Sequence, residues 1–521
     1  MNFLKQLWRL AESFAVRLEK NRLLLIAGFS VLYWVFTYVL AKRKLLWNDE
    51  LFTYYIARLP TMTDVWGALM TGGEQLPPFF YVLTRASTAL FGLNDFALRL
   101  PEMIGFWVMC ICLFFFAARC TSNFYALLAA VFPLVTYTYY YAFEARPYGL
   151  VLGFSALALL CWQSATMNRL RPLSVIFLSI SLAGALSSHY YGIFAILPLA
   201  LGETVRTAVR RRLDAPVWAA FCLAVAPLVL HLPLIGQARA SAGEFWAKPQ
   251  WLDVPNFYTN MFFPTILALI LLLFVSGIYQ IIRRDEIPDE SQPAPKIEPP
   301  IFEVAAALGY IIIPIICIIL GKFVTGGFTD RYAVIAIIGF SVLVSFIAAK
   351  LNNNEILISV VLVICFVGCF RLLALKETWK EGRNSRALTK IQLLQRKGVE
   401  NLPIVAADPH TFIELNYYAP EISPRVVYLA DPEISLRRTN QNSIERGVVD
   451  LLKPWFGFNV TDYKSYIAAR PQFLLLGDPP YFSWIVPQLE EDGMQLELKG
   501  SEGSTMLFIV SPPEQETVHN R

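Results

Sequence analysis

Asp49 and Glu50 stand side by side in KRKLLWNDELFTYY, residues 42 to 55, directly after the first long apolar run of the chain. A charged pair among Trp, Leu, Phe and Tyr at a membrane edge costs free energy unless something uses it. Similar residues recur between later apolar runs. Glu74 and Arg85 follow in TGGEQLPPFFYVLTR, Glu144 and Arg146 in YYYAFEARPYGL, and His189 in SSHYYG. Glu244, Lys248 and Asp253 lie in GEFWAKPQWLDV, and Lys322, Asp330 and Arg331 in GKFVTGGFTDRYAV. Carboxylates can take protons, and guanidinium groups hold phosphate oxygens in pairs. Arg146 precedes Pro147, a residue suited to the first helical position because its missing N–H is needed by no partner there. A guanidinium beside the positive end of a helix dipole is an anion site, although an interfacial arginine also snorkels to lipid headgroups. Arg331 opens a later run in the same way, after TGG. Asp49 has a plainer alternative too, as a helix cap or a partner of Lys42 to Lys44.

The elements that position these residues are membrane helices. Apolar residues make up 56% of the 521-residue chain and charged ones 16%, which excludes an ordinary soluble domain. Runs long enough for the roughly 20 residues of a spanning helix fall at about 23–41, 99–118, 122–143, 147–166, 173–187, 189–203, 215–236, 257–282, 301–321, 332–349 and 355–374. Lys and Arg then collect on one side: the N-terminal segment, Arg119, Arg169 and Arg171, Arg206 to Arg212, Arg283 and Arg284, and Lys350. The positive-inside rule gives eleven spans, a cytoplasmic N-terminus and an extracytoplasmic C-terminus. Costly polar residues then sit almost entirely at the outer ends.

Two segments depend on that rule. Residues 77 to 92 read as an interfacial or re-entrant helix, because a crossing there would put Arg169, Arg171 and the Arg206–Arg212 cluster outside. Residues 173 to 203 must form a hairpin with arms of about 15 residues, roughly 22 Å each. Its apex, SSHYYG, then lies below the outer surface, where polar backbone is tolerated only beside protein or a water-filled cavity. Residues 3 to 18 have the spacing of an amphipathic surface helix, and the run from 23 reads as an uncleaved first span. The segment 283 to 300 is a Pro- and acid-rich linker. The eight cysteines lie in or at the ends of apolar runs, so no disulfide framework is indicated, and the net charge of +4 gives no sign of nucleic-acid binding.

From about residue 376 the charge density becomes ordinary, dividing the chain into a transmembrane domain, 1–375, and an extracytoplasmic α/β domain, 376–521. Three short apolar runs end in Asp-Pro, at Asp408, Asp431 and Asp478. These aspartates suit a site at the carboxyl ends of a sheet, and suit better helix N-caps with Pro at the first helical position. The domain is assigned acceptor docking or partner contact, without chemistry.

The order NDE, PPFFYVLTRASTALFGLNDFALRLPEMIGF, FEARPYGLVL, SSHYYGIFAI and TDRYAVIA, across roughly residues 20 to 375, resembles the polytopic GT-C glycosyltransferases. The nearest branch includes the bacterial lipopolysaccharide-core and lipid A sugar transferases, related to protein O-mannosyltransferases. The resemblance implies a polyprenyl-phosphate sugar as donor and a glycan, lipid or protein as acceptor, at the inner membrane. It implies that Asp49 is the catalytic base, acting with inversion, and that Arg146 and Arg331 clamp the donor phosphate. Glu50 and Glu74 orient acceptor or sugar hydroxyls under this resemblance. His189 hydrogen-bonds phosphate or acceptor, or is a packing histidine. Many family members carry His where this chain reads EQLPPF, a departure that bears on Glu74 and Gln75. No cofactor beyond the lipid-linked donor is implied. A divalent cation bridging Asp49, Glu50 and phosphate is compatible with the chemistry, but no ligand spacing demands it.

Two other classes compete. A transporter or flippase of lipid-linked substrates requires interrupted helices and a midplane site. An envelope protein working through its soluble domain requires chemistry there, and His410 is the single histidine of its folded part.

Overall fold

Apolar runs of this length become helices because, away from water, every backbone N–H must find a carbonyl within its own segment. The computed structural model describes residues 19–240, 245–266, 298–351, 386–396, 402–469, 472–478 and 484–513, with positions 270, 274, 367, 368 and 370–372 besides. Among these, seven helices are long and apolar enough to cross a membrane: Arg22–Arg43, Asp95–Ala117, Tyr148–Thr166, Arg171–Ser188, Tyr190–Arg210, Ala215–Ala240 and Ile301–Thr325. Asn123–Val135 and Ala336–Lys350 are shorter apolar helices. Most of the runs expected at 257–282 and 355–374, and the surface helix expected at 3–18, lie outside the described residues.

The chain divides into two compact units. The first comprises Met1–Lys42, Leu76–Leu232 and Pro249–Leu375. In it the Asp95–Ala117 helix packs on Tyr148–Thr166, which packs on Arg171–Ser188. Ile196–Arg210 packs on Ile301–Leu320, and that on Ala336–Leu351. Gly105, Gly149 and Gly153 form the first of these seams, with no room for a Cβ against the facing backbone. Small residues let membrane helices approach this closely. Polar side chains inside the unit find partners across helices. Tyr33 donates to the Met103 carbonyl at 2.8 Å, and the hydroxyls of Thr37 and Tyr139 are 2.9 Å apart.

Three expectations are corrected here. The run 122–143 is not one helix. It is α-helical over Asn123–Val131 and then turns through two 3-10 segments, Phe132–Val135 and Tyr137–Ala142. Pro133 withholds a donor, and the Thr136 side chain accepts the Thr138 N–H, so the helix stops where the tyrosines begin. The hairpin at 173–203 is present, but its arms, Arg171–Ser188 and Tyr190–Arg210, hold 18 and 21 residues because the helices run on to their arginines. Polarity is not confined to one end of the spans: Glu203, Arg206, Asp214 and Glu303 are buried at the other. The helix Pro78–Phe91 has 14 residues, about 21 Å, too short to span.

The second unit comprises Arg43–Gln75, Pro233–Lys248 and Lys376–Arg521. Its six-stranded sheet has the order β3-β2-β1-β4-β6-β5, formed by Val460–Asp462, Val426–Ala430, Ile404–Ala406, Phe473–Gly477, Thr505–Ser511 and Gln495–Glu502. The first four are parallel and the β5–β6 hairpin adds antiparallel strands at one edge. Asp408 accepts the Thr411 N–H at 2.9 Å, and Asp431 accepts those of Glu433 and Ile434, each capping a helix that starts at a proline. Asp478 is engaged by Ser504, Thr505 and the buried Lys390. Burial opposes the Lys390 charge, but Glu414, Asp408 and Asp478 together hold its pKa above the ordinary lysine value.

The segment expected to be a free outer loop is folded into this unit. Its helices Asn48–Ala57 and Met62–Leu69 lie against the α/β elements. Tyr418 donates to the Leu46 carbonyl at 2.9 Å, Tyr55 meets Phe456 and Phe458, and Phe52 closes on Gly447.

Candidate active site

Arg146 is delivered by two successive tight turns in which the Arg146 N–H donates to the Glu144 carbonyl and the Tyr148 N–H to that of Arg146, each at 2.7 Å. The helix begins at Tyr148, with Pro147 as its cap. Its N-terminus is not an open anion site, as the sequence suggested. The Glu102 carboxylate, fully buried on the Asp95–Ala117 helix, takes the Leu150 N–H at 2.9 Å and that of Gly149 as well. The protein's own acid caps the dipole. Glu102 was missed in the sequence. The available signal was an acid inside an apolar run, LPEMIGF, which is costly unless partnered.

His189 closes the hairpin between Arg171–Ser188 and the 3-10 turn Tyr190–Ala195. Its ring centroid lies 5.5 Å from Tyr148, 5.7 Å from Tyr191 and 5.3 Å from Tyr332. Burial, then the charges of Arg146 and Arg331, push its pKa down to about 3, so the imidazole is neutral at working pH. Arg331 stands on the 3-10 turn Asp330–Ala333, which follows the left-handed Gly326, and not on the α-helix that begins at Ala336. Its guanidinium lies 5.9 Å from the Tyr148 ring centroid, and its Nε donates to Thr329 Oγ1 at 3.3 Å. The structure therefore brings Arg146, His189 and Arg331 together in the first unit, among Tyr148, Tyr191 and Tyr332. Tyr141, against Tyr148, interacts electrostatically with both Glu144 and Arg331. Asp330 accepts from Asn260 at 3.2 Å, and burial raises its carboxyl above the usual range. Lys322 donates to the Pro249 carbonyl at 3.0 Å.

The acids of the first outer segment belong to the second unit. Asp49 lies half-buried in the first turn of Asn48–Ala57, and its carbonyl accepts from Thr53. Glu50 is fully buried, 3.5 Å from Lys44, and takes the Trp47 N–H at 3.4 Å, fastening the turn that carries Asp49. Glu74, at the far end of the segment, is partly buried and accepts the Gln75 N–H at 2.9 Å. Lys248 belongs to the same unit, and Glu244 lies outside the described residues. Among the described residues no three His, Cys, Asp or Glu converge to hold a metal ion.

The chain thus holds a helical membrane unit whose arginines meet near His189 and a mixed α/β unit. Residues 75–235 match the family model described as dolichyl-phosphate-mannose-protein mannosyltransferase. Those residues include Arg146 and His189, while Asp49 and Arg331 lie beyond them. Over nearly its whole length the chain has the fold of ArnT from Cupriavidus metallidurans. The crystal structure in the apo state gives a TM-score of 0.57 at 13% identity, covering 94% of this chain and 97% of that one. The structure bound to undecaprenyl phosphate gives 0.53 at 13% identity, covering 93% and 98%. No curated protein sequence matches the chain. The resemblance read from the five ordered motifs thus holds at the level of fold.

Proposed function

We propose that the protein is an integral membrane glycosyltransferase that moves a sugar from a polyprenyl-phosphate donor to an extracytoplasmic acceptor, with inversion. The observation that carries this is the meeting of Arg146 and Arg331 around a neutral histidine, among tyrosine rings, at one end of membrane helices. Two fixed cations in apolar surroundings favour a phosphate whose hydrocarbon tail stays in the bilayer. A protein of the same fold bound to undecaprenyl phosphate supports that choice.

In the reaction Asp49 takes the acceptor hydroxyl proton as the oxygen attacks the anomeric carbon. The bond from that carbon to the phosphate oxygen breaks, and its electron pair leaves on the phosphate. A diester monoanion becomes a monoester with a second titratable charge, stabilised by Arg146 and Arg331. Glu50, expected to orient hydroxyls, is fully buried and instead holds the Asp49 turn through Lys44 and the Trp47 N–H, while Glu74 orients acceptor or sugar hydroxyls. The acceptor is lipid A or core, a glycan or a protein. The N-terminus is cytoplasmic and the α/β unit extracytoplasmic, in the inner membrane. The α/β unit has more than a docking part, because the Asp49 helix is packed within it.

A transporter would use polar groups at both ends of the spans, but the second polar cluster here is closed on itself. Arg206 is paired with Glu203 and Asp214, and Arg171 with Asp214. The test is purified protein in sealed proteoliposomes with radiolabelled undecaprenyl-phosphate sugars and lipid A, glycan and peptide acceptors. Acceptor-dependent release of undecaprenyl phosphate supports transfer, and movement of intact donor across vesicles without release supports the alternative.

A further inference from the structure

The Tyr191 N–H donates to Nδ1 of His189 at 3.1 Å, so Nδ1 presents a lone pair and the single proton of the neutral ring is on Nε2. The ring has little freedom. The His189 N–H donates to Ala185 at 3.1 Å, the Gly192 N–H donates to the His189 carbonyl at 2.7 Å, and Gly192 packs so tightly on Ala185 that no Cβ fits. Tyr148 faces the imidazole from its helix, Tyr191 from its own turn, Tyr332 and Arg331 from the Asp330–Ala333 turn, and Arg146 from the loop beside Glu144. A second proton would have to enter at Nδ1, where it would oppose the Tyr191 N–H. The two guanidinium groups repel the resulting cation as well, in agreement with the lowered pKa.

We propose that His189 is a permanently neutral hydrogen-bond donor to the lipid phosphate, through Nε2–H, and takes no part in proton transfer. This rests on the phosphate-site reading above and assigns His189 a role the sequence left open. A fixed neutral donor stabilises the charge that develops on the departing phosphate without a change of protonation. It leaves the acceptor's proton to the carboxylate.

Glutamine separates the roles, because its amide keeps an N–H near the Nε2 position but cannot shuttle protons. Affinity for farnesyl phosphate is measured in nanodiscs from pH 8 to 6 for wild type, His189→Gln and His189→Phe. The Phe variant should bind about tenfold or more weakly, the loss expected for one hydrogen bond to a charged group, and Gln should recover most of it. The wild-type to Gln ratio should stay flat with pH. Gln as weak as Phe, Phe equal to wild type, or a ratio that climbs about tenfold as pH falls would overturn the proposal. Wild type that binds no farnesyl phosphate would instead remove the phosphate site itself. Nitrogen-15 spectra of the four histidines in wild type provide a check that needs no folded variant. The signal assigned to His189 should show a protonated Nε2 and bare Nδ1 from pH 8 to 5, with and without farnesyl phosphate, and an imidazolium signal would contradict it.

Discussion

At the end of the Tyr148–Thr166 helix that bears Trp162 and Gln163, arginines meet carboxylates. Arg206 lies 2.7 Å from Glu203 and 2.9 Å from Asp214, Arg171 lies 2.6 Å from Asp214, and Trp162 donates to Glu203 at 2.9 Å. Beside them Arg119 and the buried Glu303 share Gln163. At the other end of the same helix the charges acting on His189 are the guanidinium groups of Arg146 and Arg331. Two cations balanced by two anions make a fastening between helices and leave little field for a ligand. Around His189 the two guanidinium groups lie beside a neutral ring, with the buried Glu144 near both of them. The same residue type thus holds the helices together at one end and, under the proposed function, would recognise a charge at the other.

Substitutions at the two ends should therefore fail in different ways. Arg206→Ala leaves Glu203 and Asp214 buried without their cation and should cost about 3–5 kcal/mol of stability. Denaturant unfolding in micelles reads this, and farnesyl phosphate affinity of the folded fraction should not change. Arg146→Ala should act on turnover as well, lowering kcat/KM by roughly 10²–10³, the cost of one preorganised charge stabiliser. If both variants only destabilise, the contrast between the ends is wrong.

A pH titration sharpens the contrast. His189 is neutral when folded, with a pKa pushed down to about 3, and gains a proton on unfolding below its ordinary value near 6.5. The unfolded chain binds more protons in that window, so stability is complete above pH 6.5 and falls as pH drops toward 3. Between pH 6.5 and 5 the loss should approach about 2 kcal/mol, and His189→Gln should flatten that part of the melting profile. The smallest effect belongs to the α/β unit, where Asp408→Ala removes a helix cap and should cost about 1 kcal/mol by thermal melting.

Much of this arrangement was legible because it follows from solvent and spacing. Apolar run length marked the spans, arginine placement marked the hairpin, and Asp-Pro after short apolar runs marked the helix caps at Asp408 and Asp431. What was not legible depends on contacts far apart in the chain. Nothing local in LPEMIGF says that Glu102 reaches the Leu150 N–H, so the dipole beside Arg146 looked open. Arg171 and Arg206 read as loop charges that set topology, and their pairing with Asp214 appears only once three helices are packed. The Tyr418 bond to Leu46 joins residues 372 positions apart, so the Asp49 segment looked like a free loop rather than part of the α/β unit. Even the break after Val131 was masked, because aromatic 3-10 turns are as apolar as the helix they replace.

The most direct measurement is single-turnover release of undecaprenyl phosphate from a radiolabelled undecaprenyl-phosphate sugar, comparing wild type, Asp49→Asn and Arg146→Ala. Wild type should release it only with acceptor present. Asp49→Asn should bind donor normally and slow release by about 10²–10⁴, the range of a lost general base, while Arg146→Ala should weaken donor binding as well. Release by Asp49→Asn at the wild-type rate, or unaltered donor binding and release in Arg146→Ala, would contradict the division of labour between acid and cations.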